Sequence, residues 1–178
     1  MYIAPLWMLF SNVLIACIGS VMDSDFGTVI GLVAAVIRFV ALVKLSARSD
    51  RFARAKNYIV AVLCVMGAMF LLPFILNEGA IMALMIIGMI ATLVLGTISN
   101  YHELMGLSEM AASSSDNRLA RRLRNLFYIT MAFAVITAII EPIEAVPALV
   151  TSGITCAVTI YGLVLYYQSI QLERAQGM

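Results

Sequence analysis

The chain has few charged residues. Asp, Glu, Lys and Arg make up 12% of its 178 residues, whereas hydrophobic residues make up 63%. Soluble domains usually contain about 25% charged residues, so this chain lacks the polar surface that a water-soluble fold of its size requires. Its net charge of +1 also excludes the strong basic field of a nucleic-acid-binding protein. The composition, with a mean hydropathy of +1.02, instead predicts a membrane protein.

Cysteine and histidine are scarce as well. Cys17, Cys64 and Cys156 lie far apart in separate apolar runs and form no CxxC pair, which argues against a disulfide framework or a thiolate metal site. His102 is the single histidine and follows an apolar run, so we expect it to cap a helix end or to meet lipid headgroups. The HExxH, GxSxG, Walker and dinucleotide-binding motifs are absent. The sequence therefore predicts no enzyme, no cofactor and no metal site.

Six long apolar runs fill almost the whole chain. A membrane-spanning helix needs about 20 predominantly apolar residues, and the runs are continuous rather than alternating, which favours helices over the strands of a β-barrel. The first run lacks the basic start and the cleavage site of a signal peptide, so we expect it to be retained. The predicted fold class is an all-α integral membrane protein, a bundle of six transmembrane helices in a single domain over residues 1–178. Its spans are 3–22, 26–44, 58–77, 80–99, 124–141 and 146–168, with loops at 45–57 and 100–123.

The charges between these runs alternate in sign. Acids occupy the first, third and fifth connections, at Asp23, Asp25, Glu78, Glu141 and Glu144. The basic residues, apart from Arg38, lie in the second and fourth connections and in the C-terminal tail. Because cytoplasmic loops carry the excess of Lys and Arg, both termini are predicted to be cytoplasmic, in the plasma (inner) membrane of a bacterium.

The spans form three successive hairpins that show signs of an internal repeat. The motifs Arg51-Phe-Ala-Arg54 and Arg118-Leu-Ala-Arg121 start at residues 51 and 118, which are 67 positions apart. Internal repeats are common in transporter folds. Hairpins under the same charge rule can also converge on similar sequences, so both explanations stay open.

Arg38 is the only charged residue well inside a predicted span. Charged residues at membrane depth usually face the protein interior or water. Asn12 and Ser11 of the first span lie at a comparable depth and are candidate hydrogen-bond partners of its guanidinium. The functional interpretation is a contact for an anion, or a gate. The structural alternative is a long side chain that extends to the cytoplasmic headgroups.

The segment between the fourth and fifth spans is predicted to be largely helical. Leu104, Leu107 and Ala111 recur at helical spacing, with Glu103 off that row, so the fourth helix should continue beyond the membrane. Residues 113–116 should end this helix and cap the next one. Arginines next to a membrane attract anionic lipids, and an acidic partner protein is the alternative. The candidate contacts are Arg51, Arg54, Arg118, Arg121, Arg122 and Arg124.

Small and hydroxylated residues recur at a spacing of four. Rows of small residues let helices approach closely, either within the chain or between copies in a homo-oligomer. These rows are Gly27, Gly31 and Ala35, and Gly88, Thr92 and Gly96. A threonine row in the last span is a candidate cavity lining, or it bonds the carbonyls of its own helix. This row consists of Thr151, Thr155 and Thr159.

Two functions remain compatible with these features. The first is a small transporter, a channel or a substrate-capturing membrane subunit, which the compact bundle, Arg38 and the polar later spans favour. The length and the number of spans resemble those of the substrate-binding subunits of energy-coupling vitamin importers, although the Ala-x-x-x-Ala motif of their first span is absent. The second is a non-transporting membrane partner, such as an assembly factor, a regulator or a sensor, acting through the basic segments. The lack of acids at membrane depth favours the second, since ion-coupled carriers normally need them.

Overall fold

The computed structural model describes residues 2–19, 24–71, 78–140 and 148–176, and every regular element among them is a helix. The all-α prediction is therefore confirmed for the described part of the chain. In chain order the helices are α1 (Ile3–Gly19), α2 (Ser24–Leu45), α3 (Asp50–Leu71), α4 (Glu78–Ser113), α5 (Asn117–Ile140) and α6 (Ala148–Gln176).

Three helices are long and apolar enough to cross a membrane. The segments that meet this criterion among the described residues are Asp50–Leu71, Ile81–Ser113 and Gly153–Gln176. A further apolar helix, Ile3–Ile18, is shorter. The structure thus has the helices of a membrane protein by length and composition, with three clear candidates for spans.

Helices extend past the predicted spans at one end of the bundle. We call this the basic end, because it carries the arginines of both basic connections. There α3 begins at Asp50, inside the segment 45–57 that the sequence predicts as a loop, and α5 begins at Asn117, directly after the predicted break at residues 113–116. Hydropathy marks only the apolar part of a helix, whereas polar and basic residues continue the same helix beyond it. The connections at the basic end are consequently short.

The serine-rich segment ends one helix and starts the next, as predicted. α4 continues beyond its apolar run to Ser113. Ser115 then adopts a left-handed conformation with a φ of 63°, which non-glycine residues rarely adopt. The backbone N–H of Leu119 donates to Oδ1 of Asp116 at 2.9 Å, so Asp116 caps α5.

The start of α3 repeats this arrangement. The Oγ of Ser49 accepts a hydrogen bond from the backbone N–H of Arg51 at 3.1 Å, so Ser49 caps α3. The caps at residues 49 and 116 are 67 positions apart, which is also the spacing of the two arginine motifs. The second and third hairpins therefore begin in the same register. Their origin by duplication stays a prediction.

The six helices form a closed ring in chain order. Each helix packs against the helices before and after it in the chain, and α6 packs against α1 to close the ring. In addition, α4 contacts α6 across the ring. Residues 102–107 of α4 are all buried, so other helices surround α4 at this level. Side chains from alternate helices can therefore meet inside the ring.

The buried apolar core lies at the basic end. Its largest fully buried side chains are Leu6, Leu9, Leu42, Leu45, Phe52, Leu104, Leu107, Leu123, Leu165 and Ile170. In the other half of the bundle large apolar side chains are exposed instead, as for Phe70 at 75% and Leu93 at 72%. Exposed apolar surface of this extent marks a contact with lipid or with another protein.

One glycine of the two small-residue rows packs closely against another helix of the chain. A Cβ at Gly88 would collide with Met69 of α3, whereas Gly31 and Gly96 have no described atom within 4 Å of a Cβ position. Thr92 donates to the carbonyl of Gly88 in its own helix at 2.8 Å. The surroundings of Gly27 lie outside the described residues. Packing within the chain therefore explains Gly88, and an oligomer interface at Gly31 stays a prediction.

Candidate functional site

An ion pair between distant parts of the chain lies inside the ring. Nε of Arg38, on α2, donates to Oε2 of Glu103, on α4, at 2.7 Å. The Glu103 side chain is 2% exposed and the Arg38 side chain 17%. The hydroxyl of Tyr166, on α6, donates to the other carboxylate oxygen of Glu103 at 2.5 Å. Each oxygen of Glu103 therefore has a donor, as a buried carboxylate requires. We call Arg38, Glu103 and Tyr166 the central triad.

An apolar layer closes the central triad on the side of the basic end. Each member has a fully buried apolar residue one helical turn further toward that end. These residues are Leu42 after Arg38, Leu107 after Glu103 and Ile170 after Tyr166. The triad thus lies directly behind the core and is separated by it from the basic surface.

A cavity of about 300 Å³ borders the central triad. Its other polar lining residues are Asn12 and Cys17 of α1, Asn100 of α4 and Thr159 of α6. Asn100 and Thr159 precede their triad residues on α4 and α6, so the cavity extends away from the basic end. Nη2 of Arg38 is buried and has no hydrogen-bond acceptor among the described residues. Because buried donors are normally paired, this N–H group lacks the acceptor that a buried guanidinium usually has.

The predicted partners of Arg38 differ from the observed one. Asn12 lines the same cavity as Arg38, whereas Ser11 does not line it. Among the described residues, no hydrogen bond joins Arg38 to either of them, and the acceptor is Glu103 instead. The guanidinium is held inside the ring by this carboxylate and does not extend to the basic surface.

Glu103 is the functional residue that the sequence reasoning missed. Glu103 follows an uncharged run and lies off the row of Leu104 and Leu107. If that row were the only buried face of α4, Glu103 would be exposed to solvent. In the structure α4 has no solvent face at this level, because residues 102–107 are all buried. A signal was present in the sequence: Arg38 lies within a span and needs a counter-charge, and Glu103 is the first acid after the fourth apolar run.

The threonines of α6 differ in their positions. Thr159 lines the cavity, and its hydroxyl donates to the carbonyl of Thr155 at 2.9 Å. It therefore combines the two predicted roles, as cavity lining and as a donor to its own helix. Thr155 is exposed, and the side chain of Thr151 lies outside the described residues.

His102 does not lie at a helix end. It is in the interior of α4, is 8% exposed, and stacks on Tyr58 of α3 with ring centroids 5.6 Å apart. The expected helix-end cap is therefore wrong, because α4 continues well beyond this residue, whereas the alternative contact with lipid headgroups stays a prediction. Nδ1 of His102 is buried without a hydrogen-bond partner among the described residues. The ring thus acts as a packing element between α3 and α4.

Four of the six predicted arginine contacts line two cavities at the basic end. One, of about 460 Å³, is lined by Arg48, Arg51 and Arg54 together with Glu109. The other, of about 470 Å³, lies between α5 and α6 and is lined by Arg118 and Arg122. The remaining two candidates, Arg121 and Arg124, are exposed and line neither cavity.

The side chains of the acids in the predicted outer connections lie outside the described residues. These acids are Asp23, Asp25, Glu78, Glu141 and Glu144. Within the described residues, no group of three or more His, Cys, Asp or Glu side chains is arranged to hold a metal ion. No family model, no curated protein and no solved structure matches this chain. Functional inference therefore rests on the central triad, its cavity and the two basic cavities.

Proposed function

We propose that this chain is an integral membrane protein in which all six helices cross the bilayer, with both termini in the cytoplasm. The alternation of acidic and basic connections supports this topology. The exposed apolar side chains also support it, because most of them lie in the half of the bundle away from the basic end. On this topology the basic end faces the cytoplasm and the apolar half lies among the lipid chains.

The cavity beside the central triad binds a small polar solute, in a transporter or a substrate-capturing membrane subunit. The observation that carries this function is a buried ion pair bordering a cavity of about 300 Å³. Ligand cavities have volumes of about 300–1,000 Å³, so the solute is small. Charged groups at membrane depth usually mark a substrate or ion pathway.

The lining defines the chemical class of this solute. Arg38 Nη2 offers a buried donor, and the amides of Asn12 and Asn100 offer both donors and acceptors. A carboxylate or amide oxygen of the solute pairs with Arg38, and the two side-chain amides bind its other polar atoms. Because Glu103 already neutralises Arg38, the site favours a neutral or zwitterionic solute over one with a net charge.

The apolar layer determines what transport would require. Leu42, Leu107 and Ile170 close the cavity toward the cytoplasm in this conformation. A transporter must separate this layer to release solute inside, whereas a capturing subunit passes solute on with the help of a partner. Glu103 also supplies a carboxylate beside Arg38, which removes the main sequence argument against an ion-coupled mechanism.

Thermal melts of the detergent-purified chain test the binding role. The probes are single amino acids, short monocarboxylates and small amides. At least one should raise the Tm of the wild type, because a ligand that binds only the folded state stabilises it. The same probe should have little effect on Asn12→Leu, which alters the cavity without touching the triad, and its full effect on Gln171→Ala, which lies outside the cavity. Equal stabilisation of the wild type and Asn12→Leu, or no stabilising probe, would contradict the proposal.

Uptake by proteoliposomes then separates the two roles. A transporter moves the stabilising solute across the bilayer as the purified chain alone. A capturing subunit binds the same solute without net uptake until its partner is added.

A non-transporting partner protein is the second candidate, and the cavity lined by Arg48, Arg51 and Arg54 favours it. An acidic segment of another protein would fit this basic surface. A photo-cross-linking residue at Met110, which lines the cavity, should then give one protein adduct in cells. The adduct should disappear in Arg48→Gln/Arg54→Gln and persist in Asn12→Leu. Solute binding should show the opposite dependence, because it requires Asn12 and not the arginines.

A further inference from the structure

The cavity between α5 and α6, here called the α5–α6 cleft, is lined by two arginines and one aspartate. Arg118 and Arg122 line one wall, and Gln168 and Gln171 line the other. Among the described residues, neither arginine takes part in an ion pair. Asp116, the acid in the lining, caps α5, where its Oδ1 accepts from the backbone N–H of Leu119 at 2.9 Å. The cleft therefore presents two unpaired guanidinium groups and two side-chain amides to an anion.

The other basic cavity differs in this respect. Nε of Arg51 donates to Oε1 of Glu109 at 2.9 Å, and the hydroxyl of Ser49 donates to Oε2 at 2.9 Å. Glu109 therefore neutralises part of the positive charge there. The two cavities lie at corresponding ends of successive hairpins, yet only the α5–α6 cleft has no acid paired with its arginines.

Apolar surface continues from the cleft along both helices. On α6, the row of Gln171 and Gln168 leads to Val164, which is 46% exposed, and to Tyr161, which is 36% exposed. On α5, the row of Arg118 and Arg122 passes the polar Asn125 before it reaches Ile129 and Ile136, which is 43% exposed, so the apolar surface on this helix begins further from the cleft.

The two helices touch between these rows. A Cβ at Gly162 would lie 3.6 Å from Leu126, so α5 and α6 are in contact between the two rows. On the proposed topology, on which this inference rests, the cleft lies at the cytoplasmic end and the exposed apolar side chains of both rows lie among the lipid chains.

We propose that an anionic phospholipid occupies the α5–α6 cleft, with its phosphate held by Arg118 and Arg122 and its acyl chains along the apolar rows of α5 and α6. The bidentate guanidinium suits phosphate geometry, and the glutamine amides bind the ester or headgroup oxygens. A soluble anion would occupy the α5–α6 cleft alone and would leave the adjacent apolar side chains uncovered. The continuity of the two surfaces therefore selects a lipid as the occupant.

The test uses the full chain purified in detergent and titrated with phosphatidylglycerol, with phosphatidylcholine as the neutral lipid and inorganic phosphate as the free anion. The readouts are the Tm and the number of lipids retained in native mass spectra. Phosphatidylglycerol should raise the Tm and remain bound, whereas phosphatidylcholine and inorganic phosphate should have little effect.

The chain offers a matched control for the arginines. Arg118→Gln/Arg122→Gln removes two charges inside the cleft, and Arg121→Gln/Arg124→Gln removes two charges from the same helix outside it. The apparent affinity for phosphatidylglycerol should fall roughly tenfold or more in the first variant, since each arginine near a membrane contributes about 1 kcal/mol. It should change less than about twofold in the second. Arg118→Lys/Arg122→Lys keeps both charges and should retain most of the affinity for phosphatidylglycerol. Such retention would show that the loss in the glutamine variant is due to the missing charge and not to a folding defect.

Three outcomes would overturn the proposal. An equal loss in the two glutamine variants would show a diffuse electrostatic effect rather than a site. Equal stabilisation by phosphatidylcholine would remove the role of the arginines, and saturation by inorganic phosphate would identify a soluble anion as the ligand.

Discussion

Nε of Arg38 lies 2.7 Å from Oε2 of Glu103, although 65 residues separate the two in the chain. The contact joins α2 to α4, and Tyr166 extends it to α6. α2 and α4 are not neighbours in the ring of helices. The ion pair therefore links two helices, α2 and α4, that do not pack directly against each other. The cavity lies at the same height along the bundle as this pair.

The first prediction concerns the loss of one partner of this pair. Arg38→Met leaves the buried carboxylate of Glu103 without its counter-charge, which should cost about 3–5 kcal/mol of stability. Arg38→Lys keeps the charge but loses the planar fork, so it should fold and cost less than the Met variant. Denaturant or thermal melts of the purified variants measure both effects.

The double variant Arg38→Met/Glu103→Gln is the control for this interpretation. It removes both charges and keeps an oxygen that can accept from Tyr166, so it should regain at least about half of the lost stability. Purely additive losses would show that the two side chains act independently.

The second prediction isolates the hydroxyl of Tyr166. Tyr166→Phe keeps the ring but removes a donor to a carboxylate that is 2% exposed. Leaving a buried acceptor with one partner fewer should cost about 1–3 kcal/mol. The neighbouring Tyr167 is 45% exposed, so Tyr167→Phe should change the stability by no more than about 0.5 kcal/mol. Similar melts for the two variants would refute a structural role of the Tyr166 hydrogen bond.

Much of the backbone could be predicted from the sequence, because length, hydropathy and capping are local properties. The six helices follow from the apolar runs, and the end of α4 and the cap of α5 follow from residues 113–116. The start of α3 was harder to predict, since polar residues such as Asp50 begin a helix without contributing to hydropathy.

The central triad could be predicted only in part, because it depends on which helices meet. Arg38 stood out as a buried charge, but its partner could not be read from one helical face. The row of Leu104 and Leu107 suggests a helix with one buried side, whereas packing in the ring buries α4 on all sides at this level. Glu103 and His102 were consequently placed in a polar environment that the tertiary structure removes.

The third prediction tests how tightly α3 and α4 pack. A Cβ at Gly106 would lie 2.9 Å from the ring of Phe52, which is fully buried and has little room to move. Gly106→Ala should therefore cost about 1–3 kcal/mol through overpacking. Gly31→Ala adds the same methyl group to a helix where no described atom lies within 4 Å. It should be neutral or stabilise by about 0.5–1 kcal/mol, since alanine favours helix over glycine. Equal Tm values for the two variants would show that the Phe52 ring moves aside without a loss of stability.

The last prediction tests the topology on which the proposed function depends. In a chain whose three native cysteines are replaced, single cysteines at Ala47 and Ser113 should react with an impermeant maleimide only after the cells are permeabilised. Both residues are exposed at the basic end, and the positive-inside rule places that end in the cytoplasm. These sites avoid Ser49, whose hydroxyl caps α3.

Cysteines at Asp25 and Glu144 should instead react in intact cells, since acidic connections face outward on this topology. Asp25 and Ala47 lie at opposite ends of α2, and Ser113 and Glu144 lie at opposite ends of α5. If either helix fails to cross the bilayer, sites from both pairs lie on one side. Labelling of all four sites in intact cells would exclude a six-span bundle. The reversed pattern would keep the six spans but place the basic end outside, and the α5–α6 cleft would then face the outer leaflet.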